Sequence, residues 1–260
     1  MTSGYDTEET VRAPEPEPEP APVTSAMPGP AVAIVVAAGA GVRMGAELPK
    51  ALMEVAGRPM VAWSVGALAA SARVGAIVVV APAGHEAEIQ AALDGVAARV
   101  SVTAGGESRA ESVRAGLAAA PGEPEQVLVH DAARPLLRPE LVDAVLEGLD
   151  GAEGAVAAAP VADTLKRAGE TMMVGGTVDR GDLWAAQTPQ AFWTRPLRRA
   201  VDAAFAAGLL ARATDCATLI EQAGGTVRLV PSLAPNLKVT TPADLAVAEA
   251  LLGFPPTSGP

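Results

Sequence analysis

An apolar run, Val32 to Ala37, ends directly in a loop of small residues, Gly39-Ala40-Gly41. The run reads as a buried strand. Open α/β sheets bind nucleotides where a strand runs straight into a glycine loop. Arg43 follows inside the loop, and Pro49-Lys50 closes it. Glycines let backbone N–H groups approach a phosphate chain, and the two cations neutralise it.

Other readings of this loop remain open at this level. A third glycine falls at Gly45, so the spacing is G-x-G-x-x-x-G rather than the dinucleotide fingerprint G-x-G-x-x-G. Pro49 interrupts the helix that the fingerprint requires. The G-x-x-x-x-G-K-[ST] pattern of a P-loop is absent. A tight turn that simply needs small residues is the plain alternative. Two cations in one glycine loop suit a triphosphate better than a dinucleotide. A dinucleotide-binding oxidoreductase would also want an acid about 20 residues past the glycines. The acid nearest that position, Glu54, comes sooner and sits beside the Gly57 turn.

Composition removes several partner classes. Of the net charge of −11, a large share lies in the first thirty residues, which hold six acids, one arginine and a P-E-P-E-P-E-P run from Pro14 to Pro20. Such a segment reads as an extended, solvated tail over 1–30. With no basic start and no apolar core segment, it is not a signal peptide. The rest is still acidic, which argues against nucleic acid but not against a small phosphorylated substrate. Aromatics at 3% give little for base stacking. A single cysteine, Cys216, and two histidines, His85 and His130, make a zinc site improbable. The lone cysteine suits a reducing, cytoplasmic setting. No apolar run is long enough to span a membrane.

Strand-like and helix-like stretches alternate along 31–253. Strands are expected near 32–37, 76–81, 100–103, 126–129, 155–159 and 226–230, with helices between and after them. This predicts an α/β fold, a single Rossmann-like, mostly parallel sheet with helices on both faces. From 162 to 182 the pattern breaks at turn glycines Gly169 and Gly175-Gly176, which predicts a projecting β-hairpin arm. Residues 254–260 read as a frayed end, without room for a fused second enzyme.

The loops after successive strands carry the polar residues. They are Gly105-Gly106, Arg109 and Ser112; His130-Asp131 with Arg134; Asp163-Thr164-Leu165-Lys166; Thr177 to Arg180; Gln187-Thr188-Pro189-Gln190; Thr214-Asp215; and Asn236-Leu237-Lys238. Each has a plain structural alternative: Ser112 as an early-helix hydroxyl, Asp131 as a turn cap, Arg109 as a surface ion pair. Their gathering on one sheet edge is what favours a site.

Taken in order, A-A-G-A-G-V-R-M with P-K, G-G-E-S-R-A-E-S-V, V-H-D-A-A-R-P, D-T-L-K, T-V-D-R, Q-T-P-Q and N-L-K-V-T-T-P-A-D-L resemble the 2-C-methyl-D-erythritol 4-phosphate cytidylyltransferase family from about residue 32 to 252. The resemblance implies CMP transfer from CTP in non-mevalonate isoprenoid precursor synthesis. It implies that Ala38, Gly39, Gly41, Gly106 and Ser112 line the CTP site, and that Arg43 and Lys50 hold the triphosphate. Arg180 and Lys238 would position methylerythritol phosphate, with Thr164, Thr188, Thr214 and Asp215 nearby. Asp131 would sit beside the ribose or a magnesium ion held mainly through the CTP phosphates. The family's arm belongs to a homodimer, so Arg180 would serve the neighbouring subunit's site. Two positions depart from the pattern. Cys216 stands where many relatives have an acid, and Pro235 where some have Asp.

The chemistry fits without the name. In-line attack on the α-phosphorus needs positioning and charge stabilisation. A phosphate monoester, largely a dianion at neutral pH, needs no general base to act as nucleophile. Two alternatives are kept: a cytidylyltransferase for another polyol phosphate, such as ribitol 5-phosphate, and a non-catalytic nucleotide-binding regulator. The second would be expected to lack Arg43, Lys50 or Arg180, and all three are present.

Overall fold

The computed structural model describes residues 29–39 and 49–253. The expectations for the acidic tail before residue 29, for Gly41 and Arg43 in the glycine loop, and for the segment after residue 253 lie outside the described residues.

Strand β1 (Ala31–Val36) sits inside a seven-stranded sheet. Its alternating side chains explain why both faces are covered. Ala33 and Val35 join one buried cluster with Val61, Val65 and Leu68 of α1 (Met60–Ala69) and Val142 and Val145 of α4 (Pro139–Glu147). Ile34 joins the opposite cluster with Val113 and Leu117 of α3 (Arg109–Ala119), Leu197 and Val201 of α5 (Thr194–Ala206), and Leu219 and Ile220 of α6 (Cys216–Gln222). A period of two in the strand thus feeds two helical layers. Gly116 lets α3 approach closely, since a Cβ there would collide with the Ile34 side chain.

The sheet runs β11 (Val227–Pro231), β7 (Gly154–Pro160), β10 (Trp184–Trp193), β6 (Gln126–Asp131), β1, β4 (Val74–Ala81) and β5 (Val100–Ala104). Pairings β1–β4, β1–β6, β4–β5 and β11–β7 are parallel. Within this sheet β10 alone is reversed, running antiparallel to both β6 and β7. The C-terminal ends of the other six strands therefore meet one sheet edge.

That edge also launches the arm. β7 ends at Pro160, the hairpin β8 (Lys166–Ala168) and β9 (Val174–Thr177) follows, and β10 returns. The sequence reading placed Gln187 to Gln190 in a loop; these residues lie within β10, around a register shift between Ala186 and Gln190. A short hairpin, β2 (Glu54–Val55) with β3 (Arg58–Pro59), precedes α1 and was not anticipated. Helices α2 (Glu86–Ala91) and α7 (Pro242–Gly253) complete the elements.

Candidate active site

A cavity of about 420 Å³ opens at the edge where β1, β5 and β6 end. Its wall is formed by Val36 to Gly39 at the end of β1 and just beyond, Gly106 to Arg109 at the start of α3, Asp131 to Ala133 at the end of β6 and just beyond, Lys50-Ala51, and Lys238 and Thr240 from the segment after β11. Of the residues singled out from sequence, Ala38, Gly39, Lys50, Gly106, Ser112, Asp131 and Lys238 come together here. Thr188 stands directly behind, bonded to Asp131. Thr164 and Arg180 are exposed on the arm, and Thr214 lies just ahead of α6. None of these three borders the cavity.

Small residues are needed where the two loops meet. A Cβ on Gly105 would lie 2.7 Å from Ala38 Cβ and 2.8 Å from Ser112 Oγ. The Gly105 N–H donates to Ala81 O at 2.8 Å, tying the loop to the end of β4. Ser112 does more than line the wall. Its hydroxyl accepts from Gly106 N at 3.3 Å and donates to Ser108 O at 3.0 Å, so it fixes the loop between β5 and α3. Ser108 caps α3: its Oγ accepts from Glu111 N at 3.2 Å, and Glu111 Oε2 accepts from Ser108 N at 2.8 Å. The reciprocal pair satisfies two orphan donors and leaves the positive end of an eleven-residue helix beside the cavity.

Asp131 is the electrostatic centre. Its Oδ1 accepts from Arg109 Nε at 3.0 Å and its Oδ2 from Lys238 Nζ at 2.7 Å. Burial disfavours the carboxylate, but Arg109 and Lys238 outweigh it and hold Asp131 well below the usual range. Burial likewise opposes the Arg109 charge, and Asp131 more than restores it. Arg109 is among the polar loop residues singled out from sequence, with a surface ion pair as its plain alternative; its ion pair with Asp131 lies at the cavity, where Arg109 forms part of the wall. Cys216, at the position where an acid was expected, points its thiol at Arg109, with Nη1 to Sγ at 3.8 Å. Burial pushes that thiol up to about 11, so it meets the guanidinium as a neutral group.

A second polar layer joins β6, β10 and the segment after β11. Thr188 Oγ1 accepts from Asp131 N at 3.0 Å and lies 3.0 Å from His130 Nδ1. Thr188 O accepts from Asn236 Nδ2 at 2.8 Å, and Asn236 O accepts from Arg134 Nη1 at 2.6 Å. Both ends of the Asp131–Lys238 ion pair are thereby anchored. Asp215 caps α6, its Oδ1 accepting from Thr218 N at 2.9 Å, while its Oδ2 accepts from Gln190 Nε2 at 2.8 Å. Both oxygens are engaged in joining α6 to β10.

Among the described residues no group of three or more His, Cys, Asp or Glu is gathered to hold a metal. Of the two carboxylates bordering the cavity, Asp131 has both oxygens engaged by Arg109 and Lys238, and Glu107 is the other. No helix among the described residues is long and apolar enough to cross a membrane.

The sequence model of the 2-C-methyl-D-erythritol 4-phosphate cytidylyltransferase family matches residues 31–253. The enzyme of that name from Streptomyces avermitilis is 44% identical over 223 residues, spanning 82% of this chain and 87% of the relative. That from Synechococcus sp. (strain CC9902) is 42% identical over 212 residues, spanning 82% and 93%. The crystal structure of the Thermus thermophilus enzyme superimposes with a TM-score of 0.71 at 35% identity, covering 86% of this chain and 100% of that one. The structure of 4-diphosphocytidyl-2C-methyl-D-erythritol synthase from Anaerococcus prevotii gives 0.76 at 27% identity, covering 87% and 99%.

Proposed function

The chain belongs to the 2-C-methyl-D-erythritol 4-phosphate cytidylyltransferase family and transfers CMP from CTP to that polyol phosphate, and we propose that the transfer takes place in the cavity around Asp131. The observation that carries this reading is the charge arrangement. Lys50, Arg109 and Lys238 border a cavity walled by small residues, and among the described residues Asp131 is the one buried carboxylate there. Such a site suits a polyanion.

Ala38, Gly39 and Gly106 offer main-chain groups to CTP, and Ser112 keeps the Gly106 N–H in place. Gly41 and Arg43 are assigned to the same nucleotide on the sequence resemblance alone. Lys50 and Arg43 stabilise the charge that develops on the α-phosphate and the leaving pyrophosphate. Lys238 and Arg180 take the incoming phosphate, with Thr164 and Thr214 around the polyol, while Thr188 fixes Asp131 from behind and Asp215 ties α6 to β10. Asp131 orients Lys238 and meets the ribose or the magnesium ion of the nucleotide complex. That ion supplies charge neutralisation where a dianion approaches a triphosphate. No protein base is needed, because the nucleophile is already ionised at neutral pH.

We place the reaction in the cytoplasm and in a homodimer. Support for the dimer comes from the arm, where Met172 is 83% and Met173 71% exposed, with Val174 and Trp184 exposed beside them. An apolar arm of that kind is a surface for a second copy of the chain. The arm also holds Thr164 and Arg180 away from their own cavity, so a partner's cavity is the natural place for them.

Replacing Lys50 tests the assignment. Lys50→Ala is expected to lower kcat by about 100-fold or more while CTP binding weakens only severalfold. A raised half-saturation for CTP with unchanged kcat would remove Lys50 from the transition state.

A further inference from the structure

His130 is fully buried one residue before Asp131, and nothing in the transfer chemistry uses it directly. Its Nδ1 lies 3.0 Å from Thr188 Oγ1, and the ring's other polar contact is with the Arg134 main chain. Proton counting settles the direction of the first bond. Thr188 Oγ1 already accepts the Asp131 N–H at 3.0 Å, so its own proton needs an acceptor, and His130 Nδ1 is the one within reach. The reverse arrangement would strand two groups, the Thr188 proton and a buried Nε2 lone pair.

We propose that His130 is a positioning residue: as the neutral Nε2–H tautomer it takes the Thr188 hydroxyl bond and thereby holds the Asp131–Lys238 pair in its working geometry. Thr188 is the hub of this arrangement. Its hydroxyl fixes the Asp131 main chain, and its carbonyl receives Asn236 Nδ2 at 2.8 Å, two residues before Lys238. Asp131 Oδ2 and Lys238 Nζ then meet at 2.7 Å. A hydroxyl without that acceptor would be free to turn its lone pair away from Asp131 N, loosening the Asp131 side of that contact. The proposal rests on the cytidylyltransferase reading for its activity arm only; the tautomer stands apart from it.

The first test uses the unaltered protein labelled with ¹⁵N-histidine, which carries only two histidines, His85 and His130. Nitrogen spectra are expected to show His130 with an unprotonated Nδ1 and a protonated Nε2 at neutral pH. The opposite tautomer, or a doubly protonated ring, overturns the proposal. The second test measures pyrophosphate release with saturating substrates. His130→Leu is expected to lower kcat about tenfold, the scale of one lost hydrogen bond. His130→Asn, whose Oδ1 stands at the same bond distance from the backbone as Nδ1, is expected to stay within about threefold of the parent. In a Thr188→Val background the change His130→Leu is expected to cost nothing further, because the bond is already absent. Equal losses in the Leu and Asn variants, or a Leu penalty that persists without the Thr188 hydroxyl, would show that the ring only fills space.

Discussion

Asp131 meets a cation from α3 on one side and one from the segment after β11 on the other, and its neighbour His130 is kept neutral by burial. These two residues respond to acid in different windows. His130 is depressed from an ordinary 6.5 to about 4, so the folded state refuses a proton that the unfolded chain accepts. Its contribution to stability is therefore complete above about pH 6.5 and is lost as pH falls toward 4. Asp131 is held below the usual carboxylate range by Arg109 and Lys238 against the cost of burial, so its share is lost only at still lower pH. Denaturant unfolding at pH 7, 5 and 4 is expected to show a loss of up to about 3 kcal/mol traceable to His130, and a shallower slope in His130→Asn. Identical slopes in the two proteins would mean that His130 titrates normally.

Among the elements, β10 organises the site although it breaks the parallel order. It brings Thr188 beneath Asp131 and holds Gln190 against Asp215. Asp215 was expected at the substrate, and its two oxygens are engaged in capping α6 and bonding β10. Asp215→Ala is expected to lower stability by about 1–2 kcal/mol, a drop of several degrees in Tm, whereas Asp215→Asn keeps the cap and most of the stability. A Tm unchanged in the Ala variant would contradict that role. The strands β1, β4 and β6 were legible because each is a continuous apolar run that a parallel sheet buries on both faces. β10 was hidden because Gln187-Thr188-Pro189-Gln190 puts a proline and three polar residues in mid-strand, where local pattern argues for a turn. The cavity residues that were legible, Gly39, Gly106, Asp131 and Lys238, sit just beyond strands or after turn signals. Arg109 and the His130–Thr188 contact depend on pairings between distant segments, which no local pattern carries.

At the scale of the whole molecule, the arm and the cavity emerge from the same sheet edge, yet the arm's Thr164 and Arg180 do not border the cavity of their own chain. A homodimer that exchanges arms would complete each site. Sedimentation is expected to give a dimer for the unaltered chain, and Met172→Asp with Val174→Asp to give a monomer of correct fold with little activity. A monomeric parent with full turnover would remove the arm from the site. The family assignment, finally, makes a claim about one substrate pair that can be measured directly. The measurement is pyrophosphate release with CTP and Mg²⁺, run in parallel on 2-C-methyl-D-erythritol 4-phosphate and ribitol 5-phosphate. Release with the first alone is the predicted result. Release with ribitol 5-phosphate alone would keep the fold and the transfer chemistry but contradict the assigned acceptor, and silence with both while CTP still binds would contradict the enzyme reading itself.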